Sequence, residues 1–178
     1  MKIVRCKTGH ETIVANYFAV NEEHLRPWAP AVPADFNTIE SWTKRLQDRE
    51  AEFERGESVH FIGTDRRESH VIGMCSLSNI VRGVFQACHL GYSIAERYQG
   101  KGYMKRIVIY AIEYAFNELN LHRVMANHMP ENERSAALLK SLGFEHEGYA
   151  RDYLYIAGKW EDHVLNSLCN PNFTSTKK

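Results

Sequence analysis
The sequence predicts a single α/β (α+β) domain organised on one mixed sheet. Three observations carry that expectation. The chain has 178 residues, 44% of them apolar and 11% aromatic, enough for one packed core of ordinary size. Segments of period two alternate with segments of helical period, in the order β-α-α-β-β-β-α-β-α-β-β. A glycine-rich stretch, Arg97-Tyr98-Gln99-Gly100-Lys101-Gly102-Tyr103-Met104, joins one strand to a long helix.

Each element has a local reason. Residues 1–7 read as a short strand. Thr8 is a fair N-cap for a helix over 9–21, with Glu11 in its first turn. Pro27 and Pro30, in Leu25-Arg26-Pro27-Trp28-Ala29-Pro30, stop helix because proline has no N–H and restricts its predecessor. A second helix starts near Asn37, with Glu40 as capping-box partner, and ends at Gly56; Ile39, Trp42, Leu46 and Phe53 form its apolar stripe. Residues 58–64 and 71–80 read as antiparallel strands about the polar turn 65–70, and 86–94 as the strand feeding the glycine loop. Beyond the loop, Met104, Ile107, Val108, Ala111, Ile112, Ala115, Phe116 and Leu119 recur at helical spacing. Residues 121–129 form another strand. A short helix over 135–142 is closed by Gly143. Residues 144–156 and 159–168 make a hairpin about Ala157-Gly158, with Tyr149, Arg151, Tyr153 and Tyr155 alternating onto one face. Residues 1–170 are expected to form the domain and 171–178 a polar tail.

Charge narrows the function classes. The 22 basic and 22 acidic residues cancel, which speaks against a general nucleic-acid or membrane-surface binder, since both need a cationic excess. No apolar run approaches the about 18–20 residues of a membrane span, and Met1-Lys2 does not lead into a signal sequence. Cys6, Cys75, Cys88 and Cys169 are scattered without close pairing. The expectation is a cytoplasmic protein with reduced, small apolar thiols. His122, His146 and His163 have no ligand spacing with the cysteines, so no metal is expected.

The glycine loop carries chemistry. Its glycines permit positive φ and close backbone approach to a ligand. The first N–H groups of the following helix lack intrahelical partners, and with the helix dipole they suit a pyrophosphate. Two nucleotide loops fail on spacing. A Walker loop needs Gly-Lys followed by Ser or Thr, whereas Lys101 precedes Gly102 and Tyr103 follows it. A dinucleotide fingerprint needs a third glycine, which is absent after Gly100-Lys101-Gly102. The diphosphate of coenzyme A is the reading of this loop, set against an ordinary strand-turn-helix with glycine punctuation.

Here a resemblance enters. Arg97-x-x-Gly100-x-Gly102 resembles the R/Q-x-x-G-x-G/A loop of the GNAT superfamily of N-acetyltransferases. Asn132-Glu133-Arg134-Ser135, running into Leu142-Gly143-Phe144, is similar to its N-x-x-S…L-G-F segment. Within the superfamily the RimJ/RimL branch looks nearest. Leu25-Arg26-Pro27-Trp28, Leu90-Gly91-Tyr92-Ser93-Ile94, Gly148-Tyr149-Ala150-x-Asp152-Tyr153 and Gly158-x-Trp160-x-Asp162-His163-Val164-Leu165 look like its RimJ members. The resemblance covers residues 2–170.

That resemblance implies a mixed, mostly antiparallel central sheet with splayed strands and flanking helices. It implies a cytoplasmic transferase, monomer or homodimer, that uses acetyl-CoA to acetylate the N-terminal alanine of a small-subunit ribosomal protein. Arg97 belongs to the cofactor loop, and the diphosphate would rest on backbone N–H groups of Gln99, Gly100, Lys101, Gly102, Tyr103 and Met104. The pantetheine arm would pair with strand backbone at Tyr92, Ser93 and Ile94. Asn132 would bond that arm and Ser135 would face the thiol. No metal, membrane or nucleic acid is implied.

Acetyl transfer needs a neutral amine, an attackable thioester, oxyanion stabilisation and a proton for the leaving thiolate. Direct attack in a ternary complex needs no protein nucleophile. Gly91-Tyr92-Ser93-Ile94-Ala95 mimics a nucleophile elbow, but Ser93 leads into the glycine loop rather than a helix. Relatives place a glutamate base five residues before the Asn; here that position is Asn127, which accepts no proton. Some place a tyrosine acid seven residues after it; here that position is Leu139. Ser135 is the surviving candidate acid, with helix capping as its other reading. His89 is the candidate base, directly or through water, with a satisfied histidine as its other reading. Trp28, Tyr149, Arg151, Tyr153 and Tyr155 are expected to line the acceptor groove, against a reading as aromatic packing. Asp152 and Glu161 are surface charges or partners for an ammonium group. Two other function classes stand beside this one: an acetyltransferase for a small amine, and a non-catalytic acyl-CoA-binding or ribosome-assembly module.

Overall fold
The computed structural model describes residues 1–174. Seven strands are connected by five helices: β1 (Lys2–Arg5), α1 (Glu11–Val20), α2 (Glu22–Leu25), α3 (Ile39–Glu54), β2 (Val59–Thr64), β3 (Val71–Val81), β4 (Ala87–Ile94), α4 (Tyr103–Glu113), β5 (Arg123–His128), α5 (Glu133–Ser141), β6 (Glu145–Ile156) and β7 (Lys159–Cys169). The strands form one sheet in the order β1-β2-β3-β4-β5-β7-β6. Among the described strands only the β4–β5 pair is parallel. The sheet is therefore mixed and mostly antiparallel.

The helix starts differ in detail from the sequence reading. At α1, Thr8 does not cap: its hydroxyl bonds Glu50, while the Gly9 N–H donates to the Glu11 carboxylate. At α3 the N-cap is Thr38, whose hydroxyl accepts from the Ser41 N–H at 3.1 Å, so Asn37 and Glu40 form no capping box. Between α2 and α3, Arg26–Trp28 is a 3-10 turn with Pro27 at its start, where its missing N–H costs nothing. The helix after the loop is regular to Glu113, then widens into a π turn, Tyr114–Glu118.

Each face of the sheet buries its own core. On one face, Met104, Ile107, Val108, Ala111 and Ile112 of α4 pack on Phe61, Leu77, Leu90 and Val124, and Leu139 joins them from α5. Burying each of these side chains other than Ala111 stabilises by about 1.5–3 kcal/mol. On the other face, α1 and α3 bring Val14, Tyr17, Trp42 and Leu46 against Ile62 and Met74. Trp42 stacks on Phe18 at 5.0 Å and meets Phe36 edge-on at 5.2 Å. That aromatic cluster fixes the segment between α2 and α3 to the body.

Of the expected tail, the described part stays on the body. Asn172 N–H bonds Asn170 Oδ1, and the Phe173 ring meets His122 at 5.2 Å. Residues 175–178 of that expectation lie outside the described residues.

β3 and β4 approach closely at Gly73, where an added Cβ would stand 2.9 Å from the Ser93 carbonyl oxygen and 3.3 Å from Ile107 Cδ1. Gly73→Ala is expected to lower the melting temperature by about 3–10 °C, since overpacking costs about 1–3 kcal/mol. A melt indistinguishable from the parent would mean that β4 can shift away from β3 freely.

Candidate active site
The site begins where two strands part. β4 pairs with β3 along its length, and β5 pairs with β7 from Arg123 to His128. Between themselves β4 and β5 share three pairs only, the last being His89 with Met125. From Leu90 to Ile94 the β4 edge that faces β5 carries no ladder, so its N–H and C=O groups are open to an added strand.

The glycine loop stands at the end of that opening. Gly100 has φ 68° and Gly102 φ 76°, a region that side chains enter at a cost of about 1–2 kcal/mol. Gly102 is the N-cap of α4 and offers no side chain to the first N–H groups, which leaves them for a ligand. No atom lies within 4 Å of a Cβ added at either glycine. Cations ring the loop. Lys101 Nζ donates to the Arg97 carbonyl at 2.7 Å, the Arg97 guanidinium lies 4.9 Å over the Tyr98 ring, and Lys105 Nζ reaches the Ser141 carbonyl of α5 at 3.3 Å. Gln99 spans the loop: its amide nitrogen donates to His24 Nε2 at 3.0 Å, and its amide oxygen accepts from Arg134. The Tyr103 ring packs edge-on against Tyr98, and Met104 turns its side chain into the core.

Across the opening stands the N-terminus of α5. Asn132 is its N-cap, accepting from the Ser135 N–H at 3.1 Å. Capping is thus done by Asn132, and the Ser135 hydroxyl is used otherwise. It lies 2.6 Å from the Tyr92 hydroxyl of β4. Burial pushes the Tyr92 phenol up to about 12, with the Ser135 hydrogen bond acting in the opposite sense.

Alternation divides β4 between the two faces of the sheet. Cys88, Leu90, Tyr92 and Ile94 belong to the α4 side, so His89 and Ser93 belong to the α1 side. Ser93 Oγ is 2.8 Å from the hydroxyl of buried Tyr17 on α1. His89 is half-buried, its Nδ1 has no partner, and burial lowers its pKa, which keeps the ring neutral. Asn127 lies on the His89 side, two residues beyond Met125. Its amide nitrogen donates to the Tyr153 hydroxyl at 3.3 Å, and its amide oxygen accepts from the Asn166 N–H at 3.3 Å. Asn127 therefore ties β5 to β6 and β7. His89 and Ser135 approach the parting of β4 and β5 from opposite faces.

The expected single face of Tyr149, Arg151, Tyr153 and Tyr155 is corrected by the register. Ala150 pairs with His163 and Leu154 with Glu161, so Arg151, Asp152 and Tyr153 together oppose Asp162. Asp152 takes φ 48° in this bulge. The bulge puts Tyr153 beside His163, ring centroids 5.4 Å apart, on the Asn127 side. Tyr149, paired with Val164, points to the other side and donates to Asp162 Oδ2 at 2.6 Å. Tyr155 packs on Trp160, both exposed. Arg151 is exposed. Trp28 comes near through the backbone: Ala157 N–H at the hairpin tip bonds the Ala29 carbonyl at 3.2 Å. Sequence reasoning missed the side chains of Tyr17, His24 and Arg134, and the hydroxyl of Tyr92. Their signals are contacts across 35 to 76 residues, which no local pattern encodes.

A concavity of about 640 Å³ lies at the far end of β4 and β5, lined by Arg82, Gln86, Asn120, His122 and Phe173. It is away from the open strand edge, the loop and Ser135. Among the described residues no group of three or more His, Cys, Asp or Glu side chains gathers as a metal site. Among the described residues no helix is long and apolar enough to cross a membrane.

A parallel pair that parts midway, with a glycine-capped helix following one strand and a serine-bearing helix following the other, defines a class of acyltransferase. The family model for the acetyltransferase (GNAT) domain matches residues 7–145, and the chain belongs to that family and is an N-acetyltransferase. Particular relatives are named for alanine. The chain is 44% identical over 161 residues to the ribosomal protein uS5-alanine N-acetyltransferase of Escherichia coli K12, covering 90% of this chain and 83% of the relative. The crystal structure of the ribosomal-protein-S5-alanine acetyltransferase of Vibrio fischeri superposes with a TM-score of 0.93 at 42% identity, covering 97% and 94% of the two chains. RimJ of Mycobacterium smegmatis, solved with CoA-disulfide, superposes at 0.85 with 25% identity, covering 94% and 81%.

Gly102→Val is expected to weaken acetyl-CoA binding more than folding. The folding cost is the positive φ, about 1–2 kcal/mol, because an added Cβ has no protein atom within 4 Å apart from its chain neighbours. The binding loss is the collision of that side chain with a ligand on the α4 N-terminus. Calorimetric titration beside a thermal melt separates the two. Unchanged affinity would remove the loop from the cofactor site.

Proposed function
We propose that this N-acetyltransferase acetylates the α-amine of an N-terminal alanine on a protein, a small-subunit ribosomal protein being the class its relatives indicate. Transfer is direct, within a ternary complex. The observation that carries the proposal is the opening between β4 and β5, bounded by the Gly102-capped helix at one end and Ser135 at the other. Acetyl-CoA supplies an acetyl group already activated as a thioester.

The residues present fit that cosubstrate. Backbone N–H groups from Gly100 to Met104 hold the diphosphate, with Arg97 and Lys101 adding positive charge; the Gln99 N–H, expected to join them, is taken by the Glu96 carbonyl at 3.1 Å. The open β4 edge at Tyr92, Ser93 and Ile94 pairs with the amide-bearing arm. Asn132 commits its amide oxygen to Ser135 N–H, leaving its amide nitrogen to donate to the same arm. Ser135 meets the leaving sulfur from the α4 side. The amine arrives from the His89 side, where Trp28 and the hairpin with Tyr153 form the walls. Exposed Arg151 stands at the rim, whereas Tyr149 and Tyr155 fall on the other side of the hairpin and are not part of those walls. Neutral His89 accepts the amine proton after attack, directly or through water.

The acceptor class follows from the missing carboxylate. A peptide α-amine has a pKa of about 7.7–8.0, lysine about 10.4. At pH 7.5 about a quarter or more of the α-amine is neutral, against about one part in a thousand for lysine. The difference is on the order of 3 kcal/mol of deprotonation that the site need not supply. Asn127, fastened by Tyr153 and Asn166, supplies none.

Two peptides test the reading, one with a free N-terminal alanine and no lysine, one blocked at its N-terminus with an internal lysine. The first alone is expected to be acetylated, with kcat/KM rising as pH rises through the peptide's own amine pKa. Preference for the blocked peptide would overturn the proposal. Ser135→Ala is expected to lower kcat by about 10- to 1000-fold at nearly unchanged acetyl-CoA affinity. Turnover within about twofold of the parent would reduce Ser135 to a structural residue.

A further inference from the structure
Ser135 alone is a poorly aimed acid. Its hydroxyl has one proton and rotates freely unless a partner fixes it. Its backbone N–H is already taken by Asn132. What fixes the hydroxyl is Tyr92, 43 residues earlier in the chain and on a different element, with the two oxygens 2.6 Å apart. The strand holds the phenol firmly: Tyr92 pairs with Cys75 on β3, and its ring packs against the α4 core. A buried phenol stays protonated at neutral pH, so it has an O–H to give. Cys75 offers no competing charge, because burial pushes its thiol up as well.

We infer that Tyr92 is a positioning residue for acetyl transfer: its O–H donates to Ser135 Oγ, which turns the Ser135 O–H into the opening between β4 and β5, onto the leaving sulfur. The inference rests on the acetyl-CoA reading of that opening. As the amine nitrogen bonds the acetyl carbon, the carbon–sulfur bond breaks and its electron pair goes to sulfur. The Ser135 proton passes to sulfur, the Tyr92 proton follows to Ser135 Oγ, and the charge rests briefly on the phenol oxygen. The proton shed by the new amide nitrogen, carried through solvent, restores the phenol. A phenol is a far stronger acid than an aliphatic alcohol, which is why the pair outperforms the serine by itself.

The test uses the full chain with Tyr92→Phe, Ser135→Ala and the double variant. Phe keeps the ring packing and removes one oxygen. The first readout needs no acceptor: CoA is bound to each protein, and ionisation of its thiol is followed by thiolate absorbance against pH. The bound thiol is expected to ionise about one pH unit or more lower in the parent than in either variant, because two aligned donors stabilise the thiolate. The second readout is kinetic, with the alanine peptide. Tyr92→Phe is expected to lower kcat by about 5- to 50-fold, with acetyl-CoA affinity and the melt little changed. The double variant is expected to match Ser135→Ala within about twofold, since the phenol acts only through the serine. Equal thiol ionisation in parent and Tyr92→Phe complexes would overturn the inference, as would losses that multiply in the double variant. A Tyr92→Phe protein that loses CoA affinity instead would assign the phenol to binding and overturn it too. A shifted thiol without acetylation of the alanine peptide would uphold the hydroxyl pair and overturn the proposed acceptor.

Discussion
Everything at the site depends on one failed pairing. A parallel strand pair normally continues its ladder to the shorter strand's end, because unpaired N–H and C=O groups are costly when buried. β4 and β5 stop after His89 and Met125. Each keeps a full ladder on its outer side, β4 with β3 and β5 with β7. The two halves of the sheet are therefore each stable and can diverge. The divergence leaves the facing backbone edges of both strands without a ladder, β4 beyond His89 and β5 beyond Met125. It also carries the chain after β5 away from β4, so that α5 returns across the opening and sets Ser135 against Tyr92.

The α1 side is held to the same strand by fewer but well-placed bonds. Tyr17 reaches Ser93, and the Asn21 amide links the Tyr17 carbonyl to the Glu96 N–H. Asn21 is buried at the junction of α1 and α2. Those bonds fix the start of the segment carrying Trp28 relative to the end of β4. The aromatic cluster of Phe18, Phe36 and Trp42 fixes its far end. Gln99 then joins α2, the loop and α5 through His24 and Arg134. The loop thus has both banks of the cleft attached to it.

How much of this was legible depends on the range of the interaction. The strand, glycine loop and helix around residue 100 announce themselves locally, because positive φ and an apolar stripe at helical spacing are one-dimensional signals. The opposite faces of His89 and Tyr92 follow from alternation alone. The start of α5 was readable from Asn132, a strong N-cap residue, yet the family pattern drew attention to its ligand role. The bulge at Asp152 was not legible. Tyr149, Arg151, Tyr153 and Tyr155 alternate perfectly as letters, and a single residue at φ 48° breaks the alternation in space. The Tyr92–Ser135 contact was illegible for another reason: it needs the sheet order, in which β5 lies parallel beside β4 and the helix that follows β5 returns against β4.

The same bulges have a consequence for how the molecule coexists with its own kind. β6 is the outermost strand at one edge of the sheet, and it carries exposed Tyr149, Leu154 and Tyr155. A long flat apolar edge is a template for intermolecular strand addition. Here the register breaks after His146 and again after Ala150, leaving Gly148–Ala150 and Leu154–Ile156 as paired runs of three residues each. Each break twists the border and interrupts its row of hydrogen-bonding groups. A newcomer strand finds no straight stretch long enough to nucleate a ladder, so the hairpin can expose its aromatic rings without seeding fibrous association.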